Sequence, residues 1–255
     1  MLERIKKIIN RSFCIRLSGL ICLFFILSSC AVIKKPQQQV QAAGSIPPAL
    51  CSKASYYCLQ TKPGDTWQSL FPLAKDQDIV QRLNGFDVPL QPKIYLAVPS
   101  ALEKVRTTSD VLRFAPFKDR IKPSKHSVIM VNLTKRAFAA YDRVGNLVLW
   151  GPITSGQDWC SDTKSKCNTP VGIYLIRSKG GPNCISTQYP IDKVSGGAPM
   201  PYCMFFYEGY ALHGSTLPGY NDSHGCVHLF YRDAEWLNKN FVEFGRHRTM
   251  VIIKE

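Results

Sequence analysis

The chain has 255 residues, 10 cysteines and 32 basic against 18 acidic residues, a formal charge of +14. A hydrophobic share of 45% excludes a disordered chain, and 17 Gly with 17 Pro exclude a collagen-like or low-complexity one. The length admits one moderate domain or two small ones. Ten cysteines are rare in a reducing cytosol unless they bind metal, so their meaning depends on the compartment. The basic balance admits nucleic acid, an acidic polymer or a membrane surface, and alone selects none of them.

The first thirty residues select a compartment. Arg4, Lys6, Lys7, Arg11 and Arg16 form a basic region ahead of an apolar run of eleven residues, 17–27. That run is too short to span a bilayer, which takes roughly 20 residues, and it suits a signal peptide. It ends in Leu27-Ser28-Ser29-Cys30, which resembles a bacterial lipobox. The resemblance implies removal of residues 1–29 and lipidation of Cys30. The alternative is an ordinary signal peptide with Cys30 incidental. Ala31 comes directly after the cysteine, and in Gram-negative sorting a residue other than Asp there implies the outer membrane. The expected location is therefore the periplasmic side of that membrane, held by a lipid anchor. Disulfides are permitted in that oxidising space. Processing removes five basic residues and one acidic residue, lowering the charge from +14 to +10, and discards Cys14 and Cys22.

Residues 30–50 are rich in Gln, Ala and Pro without a period and read as a tether. Twenty such residues reach about 65 Å at full extension and roughly 25 Å on average.

Residues 51–100 read as a small βααβ module. After an apolar stretch, Pro63-Gly64-Asp65-Thr66-Trp67 offers Asp65 or Thr66 as the cap of a helix bearing Trp67, Leu70 and Phe71. A second helical pattern carries Ile79, Val80 and Leu83 and stops at Asn84-Gly85. Residues 94–98 read as a strand. With G-D-T early, L-N-G central and a closing strand ending in Val98-Pro99, the segment resembles a lysin-motif (LysM) module. That resemblance implies binding to N-acetylglucosamine-containing glycan of peptidoglycan or chitin. The alternative is a structural cap. The segment departs from the motif at Trp67, where Leu is usual. Residues 101–125, charged and without a strong period, read as a linker.

From His126 to the end the chain is β-rich. Strands are expected at 128–133, 137–141, 147–150, 171–176, 204–206, 210–212 and 249–253, with hairpins at Arg143-Val144-Gly145-Asn146 and Glu208-Gly209. One helix is expected over 232–244, ending at Gly245. The fold class is thus mainly β. A βααβ module precedes an antiparallel sandwich-like or barrel-like β-rich domain, residues 126–255, with a single helix.

The chemistry concentrates in His213-Gly214 and Ser223-His224-Gly225-Cys226-Val227-His228. A thiol of ordinary pKa is only a few per cent ionised at pH 7 and needs a base, for which histidine is the usual choice. Gly225 beside Cys226 lets a carbonyl approach the sulfur and leaves backbone N–H groups for an oxyanion. His224, Cys226 and His228 also alternate at i, i+2 and i+4, so with His213 they could instead form a zinc site on one strand face.

The stretch from His213 to Cys226, with S-H-G-C, resembles the catalytic motif of YkuD-type L,D-transpeptidases. Thr169-Pro170-Val171-Gly172 resembles the family's T-P-x-G strand start, and Tyr210-Ala211-Leu212-His213-Gly214 its histidine strand. The resemblance implies Cys226 as nucleophile, His213 as general base and later acid, and the Gly214 carbonyl as the group that orients the imidazole. It places His224 and Ser223 in the site, with Gly225 and Cys226 supplying oxyanion amides. The family usually carries Arg or Asn two residues after the cysteine, and this chain carries His228 there. The implied partner is peptidoglycan, both stem peptide and glycan, with no cofactor and no nucleic acid. The acyl acceptor stays open among another stem, an outer-membrane protein or lipoprotein, and water. A non-catalytic wall-binding lipoprotein is the reading from another class.

With Cys30 lipidated and Cys226 reactive, Cys51, Cys58, Cys160, Cys167, Cys184 and Cys203 remain, an even set with 15 pairings. Locality favours 51–58, 160–167 and 184–203. The last would brace a loop before the histidine strand that could serve as a substrate lid.

Overall fold

The structure, a computed structural model, describes residues 46–255. The signal peptide, Cys30 and most of the tether lie outside the described residues. The tether ends earlier than expected, because Ile46–Cys51 forms a short helix, α1. Leu50 on α1 packs against the apolar cluster of the βααβ module.

A disulfide from Cys51 to Cys58 ties α1 to β1, Tyr56–Gln60. Next come a single turn, α2 (Trp67–Leu70), the longer α3 (Ala74–Asn84) and β2 (Tyr95–Pro99), which pairs antiparallel with β1. The βααβ order is the one the sequence predicts. Thr66 and Ser69 form a reciprocal capping box that starts α2. Gly85, at φ 78°, ends α3 in the left-handed conformation. Asn84 is buried and brackets α3 to β2, donating to the carbonyls of Val80 and Ala97 and accepting from the Ala97 amide.

The expected linker is ordered structure packed on the β-rich half. After a 3-10 turn at Leu102–Lys104, α4 (Thr108–Leu112) is capped by Thr107. Trp150 Nε1 donates to the Val111 carbonyl, and Tyr141 Oη to that of Lys118. Gly145, at φ 89°, turns the β-hairpin beneath this segment, and a Cβ there would strike the Ile121 carbonyl.

The second half is one nine-stranded sheet. Its strands are β3 (Val128–Asn132), β4 (Ala137–Tyr141), β5 (Leu147–Thr154), β6 (Gly172–Leu175), β7 (Ser178–Lys179), β8 (Met204–Tyr207), β9 (Tyr210–Ser215), β10 (Val227–Phe230) and β11 (Met250–Lys254). They run β6-β11-β3-β4-β5-β10-β9-β8-β7 across the sheet. Only Ile176 and Arg177 separate the two edge strands along the chain, so the sheet curls until its edges approach. The β9–β10 and β11–β3 pairs are parallel, which the antiparallel expectation from hairpin signals did not include. A helix, α5 (Tyr231–Trp236), continues into a π-helical turn, Leu237–Phe241, shorter than the helix expected over 232–244.

β3 and β4 are covered on both faces. Side chains alternate across a strand, so Ile129, Val131, Phe138 and Ala140 enter one apolar cluster with α5. Val128, Ala139 and Tyr141 enter a second cluster with Trp67, Ile79, Leu83 and Leu96 of the first module. This explains the unbroken apolar run Ala137-Phe138-Ala139-Ala140-Tyr141, which has no solvent face. The βααβ module is therefore one wall of a shared core. Among the described residues no helix is long and apolar enough to cross a membrane.

Candidate active site

β9 carries His213, and β10 begins one residue after Cys226. The two strands are parallel and place His228 directly opposite His213. Their rings meet edge to face with centroids 4.8 Å apart. A cavity of about 380 Å³ is lined by Cys226, His213 and His228 on this wall, and by Tyr189 and Met200 on another. Sequence reasoning places these three groups near one another, and the sheet brings all of them to one cavity.

His213 is buried, and its Nδ1 lies 3.0 Å from the Gly214 carbonyl. That contact fixes the tautomer with the proton on Nδ1, leaving Nε2 as the basic atom. Burial, then the neighbouring His228, lower its pKa to about 4, and the Gly214 carbonyl offsets part of the shift. Burial pushes the Cys226 thiol up, and the Ala211 amide facing the sulfur offsets part of that. Near neutral pH the resting pair is thus thiol and imidazole, both uncharged. The two groups make no hydrogen bond with each other among the described residues. Such contacts commonly tighten only with substrate.

The loop before Cys226 is locked by hydroxyls. Ser223 Oγ donates to the Cys226 carbonyl at 2.6 Å and accepts from the Gly225 amide at 3.0 Å. Thr169 Oγ1 donates to the Gly225 carbonyl at 2.9 Å and accepts from the Gly156 amide at 3.0 Å. Gly225 sits at φ 115°, and a Cβ there would collide with the Tyr210 ring, so both conformation and space require glycine. One expectation changes: the Gly225 amide is already engaged by Ser223 and is no open oxyanion donor. Ser223 braces the loop and also lines the cavity.

His224 lines the same cavity as Cys226 and is held from two sides. Its Nε2 lies 2.7 Å from Asp162 Oδ2, and its ring stacks on Tyr189 at 4.3 Å. The His224 bond holds the Asp162 carboxyl below its usual range. Asp162 belongs to the loop closed by the Cys160–Cys167 disulfide, and Tyr189 to the loop closed by Cys184–Cys203. His224 therefore links two stapled loops around the cavity.

The zinc arrangement does not assemble. β10 starts at Val227, so His224 and Cys226 are not on a strand face with His228. Among the described residues, Cys160, Cys167 and His224 place ligand atoms within 4.8 Å of one another, but both sulfurs are consumed in the disulfide.

Several contributors escaped the sequence. Asp222 and Thr154 reach His228, each at 3.2 Å from Nδ1, and Thr154 Oγ1 donates to Asp222 Oδ1 at 2.8 Å. Asp222 adjoins Ser223-His224-Gly225-Cys226, and that nearness was the available signal. Nothing local marked Thr154, Asp162 or Tyr189, which arrive from distant segments.

Residues 126–253, half of the chain, match the YkuD family, described as the L,D-transpeptidase catalytic domain. No curated protein matches the chain closely enough to count as a relative. Among solved structures, an L,D-transpeptidase from Xylanimonas cellulosilytica is 19% identical with a TM-score of 0.47, over 70% of this chain and 79% of that one. L,D-transpeptidase 3 from Mycobacterium tuberculosis is 20% identical with a TM-score of 0.41, over 67% and 77%. Another L,D-transpeptidase from Mycobacterium tuberculosis is 19% identical with a TM-score of 0.39, over 67% and 75%.

Proposed function

Because the chain belongs to the YkuD family of L,D-transpeptidase catalytic domains, we propose that it is a peptidoglycan L,D-transpeptidase with Cys226 as nucleophile and His213 as base. The observation that carries this reading is the meeting of Cys226 and His213 on one cavity wall, with His213 Nδ1 held by the Gly214 carbonyl. A base needs its acceptor nitrogen free and its other nitrogen fixed, and that contact supplies both.

In this reading His213 Nε2 takes the Cys226 proton as the sulfur attacks the carbonyl of the third stem residue, diaminopimelate. The Cys226 amide faces the developing oxyanion. The carbon–nitrogen bond to the terminal D-Ala breaks, and its amine takes the proton from His213. The thioester is then attacked by an amine, the carbon–sulfur bond breaks and the thiol is restored. The acceptor is a second stem, giving a 3→3 crosslink, or an amine of an outer-membrane protein. The loop 184–203 serves as the lid over the donor stem, a role supported by its position on the cavity wall.

The LysM-like module holds the glycan, and the L-S-S-C sequence supports lipidation at Cys30 and an outer-membrane address. The +10 charge of the processed chain suits a carboxylate-rich wall.

Muropeptide analysis of peptidoglycan incubated with the protein tests the reading. 3→3 dimers or protein-linked muropeptides support it. Tripeptides without new links would instead assign water as acceptor. Unchanged muropeptides would overturn it.

A further inference from the structure

We propose that His228, held by Asp222, is a second base of this site, receiving the proton that the acceptor amine must shed before it attacks the thioester. The inference rests on the transpeptidase reading above. It starts from a pairing the chemistry of Cys226 and His213 does not use.

Asp222 Oδ1 and Thr154 Oγ1 both lie 3.2 Å from His228 Nδ1, and Thr154 also donates to Asp222 at 2.8 Å. The carboxylate therefore fixes the proton on Nδ1. His228 Nε2 makes no hydrogen bond to protein among the described residues, and His228 lines the cavity beside Cys226. An acid that orients an imidazole whose other nitrogen faces a reaction space is the geometry of a general base. His213 is oriented differently, by a neutral carbonyl. The site thus holds two imidazoles, 4.8 Å apart, one backed by a carbonyl and one by a carboxylate.

Proton counting gives the second base a task. An alkyl amine carries an extra proton at neutral pH, its ordinary pKa being about 10. An ammonium has no lone pair to attack with. His228 Nε2 takes that proton, and the free amine attacks the thioester carbon. His213 takes the second proton as the carbon–nitrogen bond forms. The carbon–sulfur bond breaks, His213 returns its proton to the sulfur and His228 releases its own to water. The other titratable groups lining the cavity are Tyr189, Glu208, Tyr210 and His224. His224 is engaged by Asp162, and Glu208 lies in the β8–β9 turn, so neither shares the Asp222 contact.

The test compares acceptors in full-length protein carrying His228→Gln or Asp222→Asn. Acylation of Cys226 by a tetrapeptide stem is monitored by intact mass, and transfer is measured with two acceptors. One is a lysine-type amine, protonated at neutral pH, and the other is hydroxylamine, which is not. Removing a general base costs about 100-fold or more in the step that needs it. The expectation for both variants is a transfer to the lysine-type amine reduced about 100-fold or more beyond any change in acylation. Transfer to hydroxylamine should track acylation instead. Equal losses with both acceptors would overturn the inference, since that pattern belongs to a structural role. So would unchanged transfer to the lysine-type amine. Wild-type protein that forms no acyl-enzyme would overturn the transpeptidase reading itself, a result distinct from a normal acyl-enzyme indifferent to His228.

Discussion

Arg82 of the βααβ module and Asp233 at the start of α5 form a buried two-pronged ion pair, Nη1 to Oδ2 at 2.7 Å and Nη2 to Oδ1 at 2.6 Å. Arg82 also donates to the Trp150 carbonyl at 2.6 Å and to Asp78 at 3.0 Å. Burial alone would lower the guanidinium's pKa, but Asp233 and Asp78 more than offset it and hold the charge in place. Residues 151 positions apart are thus joined inside the core, and the two halves stand as one folding unit.

Removing one partner of such a pair strands a buried charge. Arg82→Ala should cost about 3–5 kcal/mol of stability. Arg82→Lys should recover part of it, because an ammonium cannot make the two-pronged contact. Chemical denaturation monitored by module tryptophan fluorescence and by far-UV signal should show one coincident transition in the wild type. Two separated transitions would contradict the shared core.

Gly225 has no room for a side chain. Gly225→Ala should displace the Cys226 loop against Tyr210 and lower acylation about 100-fold, the scale of a misplacement of about 1 Å. Acylation kinetics by intact mass check this, with thermal melting to show the fold retained. A variant acylating at the wild-type rate would contradict the role given to the Thr169–Gly225–Ser223 lock.

His213 makes stability depend on acid. An unfolded histidine ionises near 6.5, and this one has its pKa lowered to about 4 by burial and by His228. Between those values the unfolded chain binds more protons than the folded one, so stability falls as pH falls. Nothing is lost above about pH 7, and the loss grows to at most about 3 kcal/mol near pH 4. Wild type and His213→Gln, melted across pH 4–7, should differ in slope through this window. Parallel slopes would contradict the neutral buried imidazole.

The raised Cys226 thiol predicts slow alkylation at neutral pH. Modification by iodoacetamide should climb steadily into the alkaline range, with no plateau between pH 6 and 8. A neutral plateau would mean a resting thiolate–imidazolium pair.

The sequence announced the parts of this site that lie within one short stretch. Cys226, His213 and Gly214 fall in two short motifs close together in the chain, and their chemistry is set by residue type. The Thr66 cap and the Gly85 stop were equally local signals. What stayed hidden depends on long-range placement. The parallel pairing of β9 with β10 sets His228 against His213, and no hairpin signal encodes a parallel pair. Asp162 and Tyr189 reach His224 from two separate loops. The Gly225 amide looked free because its partner, the Ser223 hydroxyl, is a close neighbour whose rotamer no pattern reveals. The residues read as a linker looked solvated, yet their apolar members cover the second face of the sheet.

The central claim is that Cys226 carries an acyl group from a tetrapeptide stem. Intact-mass analysis of the protein mixed with a disaccharide-tetrapeptide donor, quenched in acid, measures it directly. The account predicts an adduct equal to the donor less its terminal D-Ala, mapped to Cys226, absent from Cys226→Ser and discharged by an added amine. An adduct on another residue, or crosslinked product formed by Cys226→Ser, would contradict it.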